Sequence, residues 1–505
     1  MAAVAGGYLA GRVDRRSMSK WKTSTGSADA DILPDLPTMR ERSRDLVRNS
    51  PIAAGAVSGV VNSVVGTGLA MQSNIDREVL GLSEEQAAET QKQIEREFRL
   101  FADTPDCDLS RTLDFYGLQE LAFRSTMESA DCFVLLPMLQ TMGSVYTLKV
   151  QILEGDRVSQ PKGQKETNTF AGGVELDATG APLRYHIRTS HPGDLGSPKE
   201  DWKPYDAFGK KTGRRNVLHL YRKLRPGQTR GVPYLAPVVE SLKQLDRYTE
   251  AEIMAAVVSG MFSVFVKSEG GMTLQDMTTG APPAAGQLEQ NLKSGAIIDL
   301  APGESIEVAN PGRPNANFDP FIQSILVQVA MALEIPFEVL LKRFNSSYSA
   351  SKAAILEAWR FFNGRRAWLV TSFCQPVFEA WMDEAVARGR VVAPGYFQDP
   401  AIRRAYLGTK WIGDSAGQID PVKEVEAAGK RIALGLSTHA EECAALTGGD
   451  WESKHYQLVR ETRMMKEGGL GQALAPAPAP GQPAKPETDE PEPDETQGGT
   501  DAPTR

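Results

Sequence analysis

The sequence predicts an α+β protein, and three observations carry that prediction. Apolar residues at helical spacing dominate the first 130 positions. Period-two segments separated by turn residues follow, up to about residue 221. Long apolar helices return after residue 234, interrupted once by a short β-rich insert. The chain has 505 residues, 41% of them hydrophobic and 24% charged, enough for more than one domain around a sizeable core.

Residues 35–48 read as an amphipathic helix. The next stretch, "NSPIAAGAVSGVVNSVVGTGLAMQSNI", carries no charge from Asn49 to Ile75. It is long enough to cross a bilayer, and "GAVSG" could pack helices in lipid. Its many small and polar residues argue for a soluble helix instead. Val57, Val60, Val61, Val64 and Val65 form one stripe, and Ser58, Asn62 and Ser63 lie off it. Ser50 reads as the cap, Pro51 as the first helical residue, and Gly66 and Gly68 as the stop. The small residues allow another backbone to approach, from the same subunit or a neighbour.

A helix is expected from Ser83 to Phe101, opened by a Ser83–Gln86 capping box, and another from Thr112 to Ser129. "DCFVLLPML", "VYTLKVQILEGDRV" and "NVLHLYR" read as strands. "GGVELDATGAPLRYHI" reads as a hairpin with Leu183, Tyr185 and Ile187 on one face. Residues 234–260 form a long helix with Leu235, Val238, Val239, Leu242 and Leu245 on one face. An insert over 261–317 holds "FSVFVK", "GAIIDL" and "SIEVAN". The chain returns as a helix in which Phe318, Phe321, Ile322, Ile325, Leu326, Val329, Ala330 and Leu333 keep helical spacing. Asp319-Pro320 is its expected cap and first turn.

The polar loop "NSSYSAS" leads into a very long apolar helix (Ile355, Leu356, Trp359, Phe362, Trp368, Leu369, Phe373, Phe378, Trp381). Pro376 should kink it. Short helices follow, one capped by Asp420-Pro421. Another is opened by a Thr438–Glu441 box and ended by Gly448-Gly449. The last stretch, with eight prolines from Pro476 onward, cannot bury a core and is expected to be disordered.

Charge and motifs exclude several classes of chemistry. The formal net charge is -8, of which residues 471–505 carry -5. No block of Lys and Arg of the phosphate-gripping kind is present. The four cysteines lack CxxC spacing and read as free thiols. His186 and His191 lie close in sequence, but no third clustered ligand is visible, so no metal is expected. "SASK" (Ser349, Lys352) is the best catalytic candidate, an SxxK pair, and "KTG" stands at Lys211–Gly213. Their order is the reverse of the hydrolase pattern, and no SDN lies between them. There is no GxxxxGK[ST] or GxGxxG. Lys342, Arg343, Arg365 and Arg366 cluster around the polar loop. They could form a solvated face, inter-subunit ion pairs or a DNA contact.

Five stretches, in order, carry a resemblance: "RERSRDLVRNSPIAAGAVSGVVNSVVGTGL", "LHLYRKLRPGQTRGVPYLAPVV", "LAPGESIEVANPGRPNANFDPF", "YSASKAAILEAWRFF" and "IDPVKEVEAA". With them the chain resembles the portal proteins of tailed bacteriophages, in the lambda-type family, over roughly residues 40–465. The resemblance implies a non-enzymatic ring of about twelve subunits at one capsid vertex, without cofactors. Its implied partners are the terminase large subunit, head-tail connector proteins, the major capsid and scaffold proteins, and double-stranded DNA read without sequence specificity. It implies no membrane. The ring would sit in the virion and assemble in the host cytoplasm.

It also implies an arrangement of parts: an N-terminal arm (1–34), an α/β wing (35–230) and a first stem helix (231–260). A clip (261–317), a second stem helix (318–335) and a tunnel-loop region (336–351) follow. A long kinked wing helix (352–394), a helical crown (395–468) and a disordered tail (469–505) complete the chain. On this mapping Lys342, Arg343, Asn345, Ser346, Ser347, Tyr348 and Lys352 would face DNA. Phe265, Lys267, Ile297, Asp299 and Glu304 would lie in the partner-binding clip. The rival readings are a membrane anchor through residues 51–70 and a Ser349/Lys352 hydrolase.

Overall fold

A computed structural model describes residues 20, 23, 25–196, 200–260, 264–268, 304–308, 317–344, 347–418 and 420–468. Most of the 1–34 arm, Ile297 and Asp299 of the insert, Asn345 and Ser346 of the loop, and the 469–505 tail lie outside the described residues. The chain divides into two compact units, residues 1–450 and 451–505.

The first unit opens with helices α1 (Ala28–Ile32), α2 (Leu36–Asn49) and α3 (Pro51–Val64). The valine stripe of α3 is fully buried: Val57, Val60, Val61, Val64 and Val65 are each 0% exposed. No helix among the described residues is long and apolar enough to cross a membrane. The uncharged stretch is therefore a core helix. Its stop is the predicted one, with Gly66 and Gly68 at positive φ. A side chain at Gly68 would collide with Tyr116 at 2.5 Å. Ser50 precedes α3 as expected but makes no side-chain cap; its hydroxyl donates to Asp246 instead.

Strand β1 (Ala70–Ser73), helices α4 (Arg77–Leu80), α5 (Glu84–Ala102) and α6 (Phe115–Ser129) follow. The Ser83–Gln86 capping box is present. Helix α6 starts three residues later than the periodicity suggested. Asp114 caps it by accepting from the Gly117 N–H, while Thr112 is drawn into a turn around Asp108.

Two sheets come next. Strands β2 (Asp131–Leu135), β3 (Gln151–Glu154) and β8 (Val217–Tyr221) form an antiparallel sheet in the order β3-β2-β8. Strands β4 (Phe170–Ala171), β5 (Val174–Leu176), β6 (Pro182–Arg188) and β7 (Trp202–Asp206) form a meander. The hairpin is the predicted one. Tyr185 and Ile187 are buried, but Leu183 is exposed, because a register shift at Glu175/Leu176 breaks the alternation there.

Helix α7 (Val239–Gly260) leads to strands β9 (Val264–Ser268) and β10 (Glu304–Val308), which pair antiparallel. Helix α8 (Phe318–Ala332) returns from them. The expected Asp319-Pro320 cap is misplaced: α8 begins at Phe318, and Asn317 precedes it without a capping bond. A short α9 (Phe337–Leu341) then turns into the long pair α10 (Tyr348–Leu369) and α11 (Gln375–Ala387). The predicted kink is a wide π-turn over Val370–Cys374. Pro376 has no N–H to offer the helix, and the Gln375 N–H reaches back five residues to the Val370 carbonyl.

The region expected to be all helical holds α12 (Pro400–Tyr406), α13 (Pro421–Ala433) and α14 (His439–Thr447), but also a strand, β11 (Thr409–Ile412). Strand β11 pairs with β1 and ties the two ends of the unit together. Asp420 and Thr438 cap their helices as expected, and Gly448 ends α14 in the left-handed conformation. One core runs from Leu46 to Leu407. Phe98 sits at its aromatic centre, edge-on to Phe115, Phe378 and Trp381 at 5.0–5.7 Å. The second half of the kinked helix is thus built into the N-terminal helices. The second unit is a single described helix, α15 (Trp451–Glu467).

Candidate functional site

Helices α7 and α8 form an out-and-back pair around the β9-β10 insert. They pack through Leu242 and Leu245 on α7 and Leu326, Val329 and Ala330 on α8, all buried, and through Tyr248 against Phe318 and Phe321. Their outer faces differ. Helix α7 exposes Glu240, Lys243, Arg247 and Glu250, a balanced set of charges, in its first half, and Ile253, Met254 and Val257 in its second. Helix α8 has no charged residue from Pro320 to Leu333. It exposes Phe321 (49%), Val327 (44%) and Met331 (79%). A helix face with that composition fits a protein neighbour better than water.

Within the insert, Phe265 and Lys267 lie on β9, and Glu304 starts β10. Glu304 is the register partner of Ser268, and Ser305 that of Lys267.

The loop expected over 336–351 is narrower than predicted, since Phe337–Leu341 and everything from Tyr348 onward are helical. Lys342 ends α9 in the left-handed conformation, φ 54°. The Arg343 N–H donates to the Glu338 carbonyl at 3.0 Å. This sharp reversal leaves Lys342, Arg343 and Phe344 exposed. Ser347 caps α10 by accepting from the Ala350 N–H.

Lys352 is not a free cation here. Its Nζ lies 3.1 Å from Glu424 on α13 and 6.0 Å from the Tyr348 ring centre. The hydrogen bond to Glu424 raises its pKa, the opposite of what an SxxK base needs. Ser349 and Lys352 therefore open a helix and fasten it to α13. The hydrolase reading has no geometry behind it.

Arg365 and Arg366, grouped with the loop by sequence, are structural. Arg366 donates to the carbonyls of Ser63, Val64 and Asp414 at 3.0–3.1 Å, closing the C-terminal end of α3. Arg365 packs against the rings of both Tyr234 and Phe361.

Sequence reasoning missed a buried ionic knot in the α/β region. Asp131 is 0% exposed and accepts from Arg40 at 2.6 Å and from Arg230 at 2.5 and 3.1 Å. Burial alone would raise its pKa, but Arg230 and Arg40 hold it well below the usual carboxylate range. Arg230 also donates to the carbonyls of Gly155, Val158 and Gly172, and Arg40 to that of Ser129. A Cβ at Gly155 would stand 2.0 Å from Asp131 Oδ1, so only glycine fits. His219, stacked between Phe133 and Tyr221, completes the knot, and burial pushes its pKa down to about 4. The signal for the knot was present: Arg40 and Arg230 sit in two of the quoted stretches.

Against the expectation for His191, the structure brings it within 4.8 Å of Glu154 and Asp156. Asp156 is taken by Arg44 through both oxygens, and His191 contacts Glu154 at 3.0 Å. This is an ion-pair network rather than a ligand set. His186 pairs with Glu175 at 2.7 Å.

The family model described as phage portal protein, lambda family, matches residues 14–366. The chain is 27% identical over 476 residues to portal protein B of Escherichia phage lambda, covering 90% of this chain and 88% of that relative. It is 27% identical over 474 residues to the portal protein of Escherichia phage N15, covering 89% and 88%. A chain from the virion of a native gene transfer agent particle superposes with a TM-score of 0.44 at 13% identity, covering 81% of this chain and 92% of that one.

Proposed function

The chain belongs to the lambda family of phage portal proteins, and from that premise we propose that about twelve copies close into a ring at one vertex of the capsid. DNA is packaged through the ring and later ejected through it. The chain acts as a conduit and docking platform rather than as an enzyme. It works in the virion and assembles in the host cytoplasm, where major capsid and scaffold proteins meet it.

The observation that carries the reading is the outer face of α8. In a heterologous ring, each copy offers one surface to its left neighbour and a different one to its right. Phe321, Val327 and Met331 need such a neighbour, as do Ile253, Met254 and Val257 farther along α7, whereas the charged first half of α7 does not. On this reading 35–230 and 352–394 are the wing, α7 and α8 are the stem, and 395–468 is the crown. The β9-β10 insert, with Phe265, Lys267 and Glu304, is the clip that meets the terminase large subunit and later the connector proteins.

The turn after α9 supplies the DNA-facing loop. Lys342 and Arg343 are its exposed cations, with Ser347 and Tyr348 at its far edge. Lys352 is assigned to the wing–crown contact instead. Each phosphate neutralised by Lys or Arg adds salt-dependent affinity. A channel that lets DNA slide calls for few such contacts and a near-balanced wall, as on α7.

Negative-stain imaging with mass by light scattering tests the reading. Annular particles near twelve times the 54.9 kDa chain mass are expected. A chain that stays monomeric, both alone and with capsid and scaffold proteins present, would contradict it.

A further inference from the structure

The joint between stem and wing contains an arginine with no counter-ion among the described residues. A cavity of about 250 Å³ is lined there by Arg222, Tyr234, Glu334, Arg365 and Trp368. On one wall, Arg222 Nη1 lies 3.0 Å from Glu334 Oε1, and both side chains are about half exposed. On another wall, Arg365 from α10 lies 5.8 Å from the Tyr234 ring centre and 4.9 Å from that of Phe361. Among the described residues, Arg365 makes no hydrogen bond and no ion pair. Burial, and then the like charge of Arg222, hold its pKa below the ordinary arginine value, and Glu334 opposes them.

Glu334 sits just past the end of α8 at φ 59°, a conformation uncommon for a residue with a Cβ. Around it the turn is fixed: Tyr234 Oη donates to the Leu333 carbonyl, and the Ile335 N–H donates to that of Ala330.

We propose that this joint is a two-position latch in which Glu334 exchanges Arg222 for Arg365. The present pair is exposed and screened, and pairs of that kind are weak. Arg365 offers the same carboxylate a drier partner with unused N–H donors, already oriented by two rings. The cavity has room for several waters at roughly 30 Å³ each, so the carboxylate can cross it by displacing them. Arg222 follows a wing strand, whereas Arg365 belongs to the first half of the kinked helix. A shift of the stem would therefore change which of the two elements it is tied to. The use of that signal during DNA passage rests on the portal reading; the exchange itself does not.

The test is a double-mutant comparison in the full chain, read as amide hydrogen exchange over residues 333–341. Arg222→Gln alone and Arg365→Gln alone are each expected to speed exchange less than about twofold, because the remaining arginine takes over. The double variant is expected to speed it about fivefold, the scale of one lost pair. Arg222→Gln with Arg365→Lys, which keeps the charge, should stay near the single-variant level. Unchanged circular dichroism establishes that each variant is folded. Singles whose effects simply multiply to give the double, or an Arg365→Gln effect confined to the wild-type background, would overturn the latch. So would a double variant that exchanges like wild type. Ring formation is scored separately, so failure of the latch is distinguishable from failure of the portal reading.

Discussion

In the proposed wing, Asp131 is sealed between Arg40 and Arg230, and Trp381, Phe373 and Phe378 are each 0% exposed. In the proposed stem, Phe321, Val327 and Met331 on α8 and Ile253, Met254 and Val257 on α7 face outward. The first region encloses its main charge cluster and its aromatic core within a single chain, whereas the second leaves six large apolar side chains facing outward on two helices. On the proposed ring reading, copies of the chain would cover the exposed apolar stem surface. Variants should therefore separate cleanly: wing changes act on the stability of the chain, and stem changes act on assembly.

The largest effect is expected at the knot. Arg230→Met leaves Asp131 buried with one fewer partner, and removal of one member of a buried pair costs about 3–5 kcal/mol. Chemical denaturation should show that loss irrespective of protein concentration. Trp381→Ala should cost about 3–5 kcal/mol through the cavity it leaves. If either change reduced ring yield while leaving the isolated chain as stable as before, the comparison would fail.

The acid response sharpens the same contrast. His219 titrates near 4 in the fold and near 6.5 in the unfolded chain, so the unfolded state binds the extra proton between those values. Stability is therefore expected to fall as pH drops from about 6.5 to 4. Asp131, held well below its ordinary value, stays ionised through that window. His219→Asn should flatten the pH dependence of the unfolding midpoint. An unchanged slope would remove His219 from the account.

The smallest effect is expected in the loop. Lys342→Ala and Arg343→Ala should leave stability within about 0.5 kcal/mol of wild type. Each should lower the salt slope of DNA binding by roughly 1. Lys352→Ala should leave that slope alone, because its ammonium is engaged by Glu424.

What could be read in advance was local. The valine stripe of α3, the capping boxes at Ser83 and Thr438, and the out-and-back stem around a β-insert all follow from spacing within a few residues. The misses were contacts between distant segments. Asp131 meets Arg40 and Arg230 across 91 and 99 positions. Arg366 reaches Val64 across 302, and β11 pairs with β1 through a similar separation. Composition showed Arg366 as one more cation beside a polar loop; only the fold reveals it as a helix cap. The same limit applied to the loop itself, where the helices encroach on both ends and leave Lys342 and Arg343 as its exposed cations.

The most direct measurement compares the wild-type chain with a Val327→Glu/Met331→Glu variant by light scattering and thermal unfolding under one set of conditions. The account predicts that wild type gives rings while the variant remains a 54.9 kDa monomer whose wing unfolds at the temperature of the dissociated wild-type chain. Rings that persist with two glutamates on the outer face of α8 would contradict it.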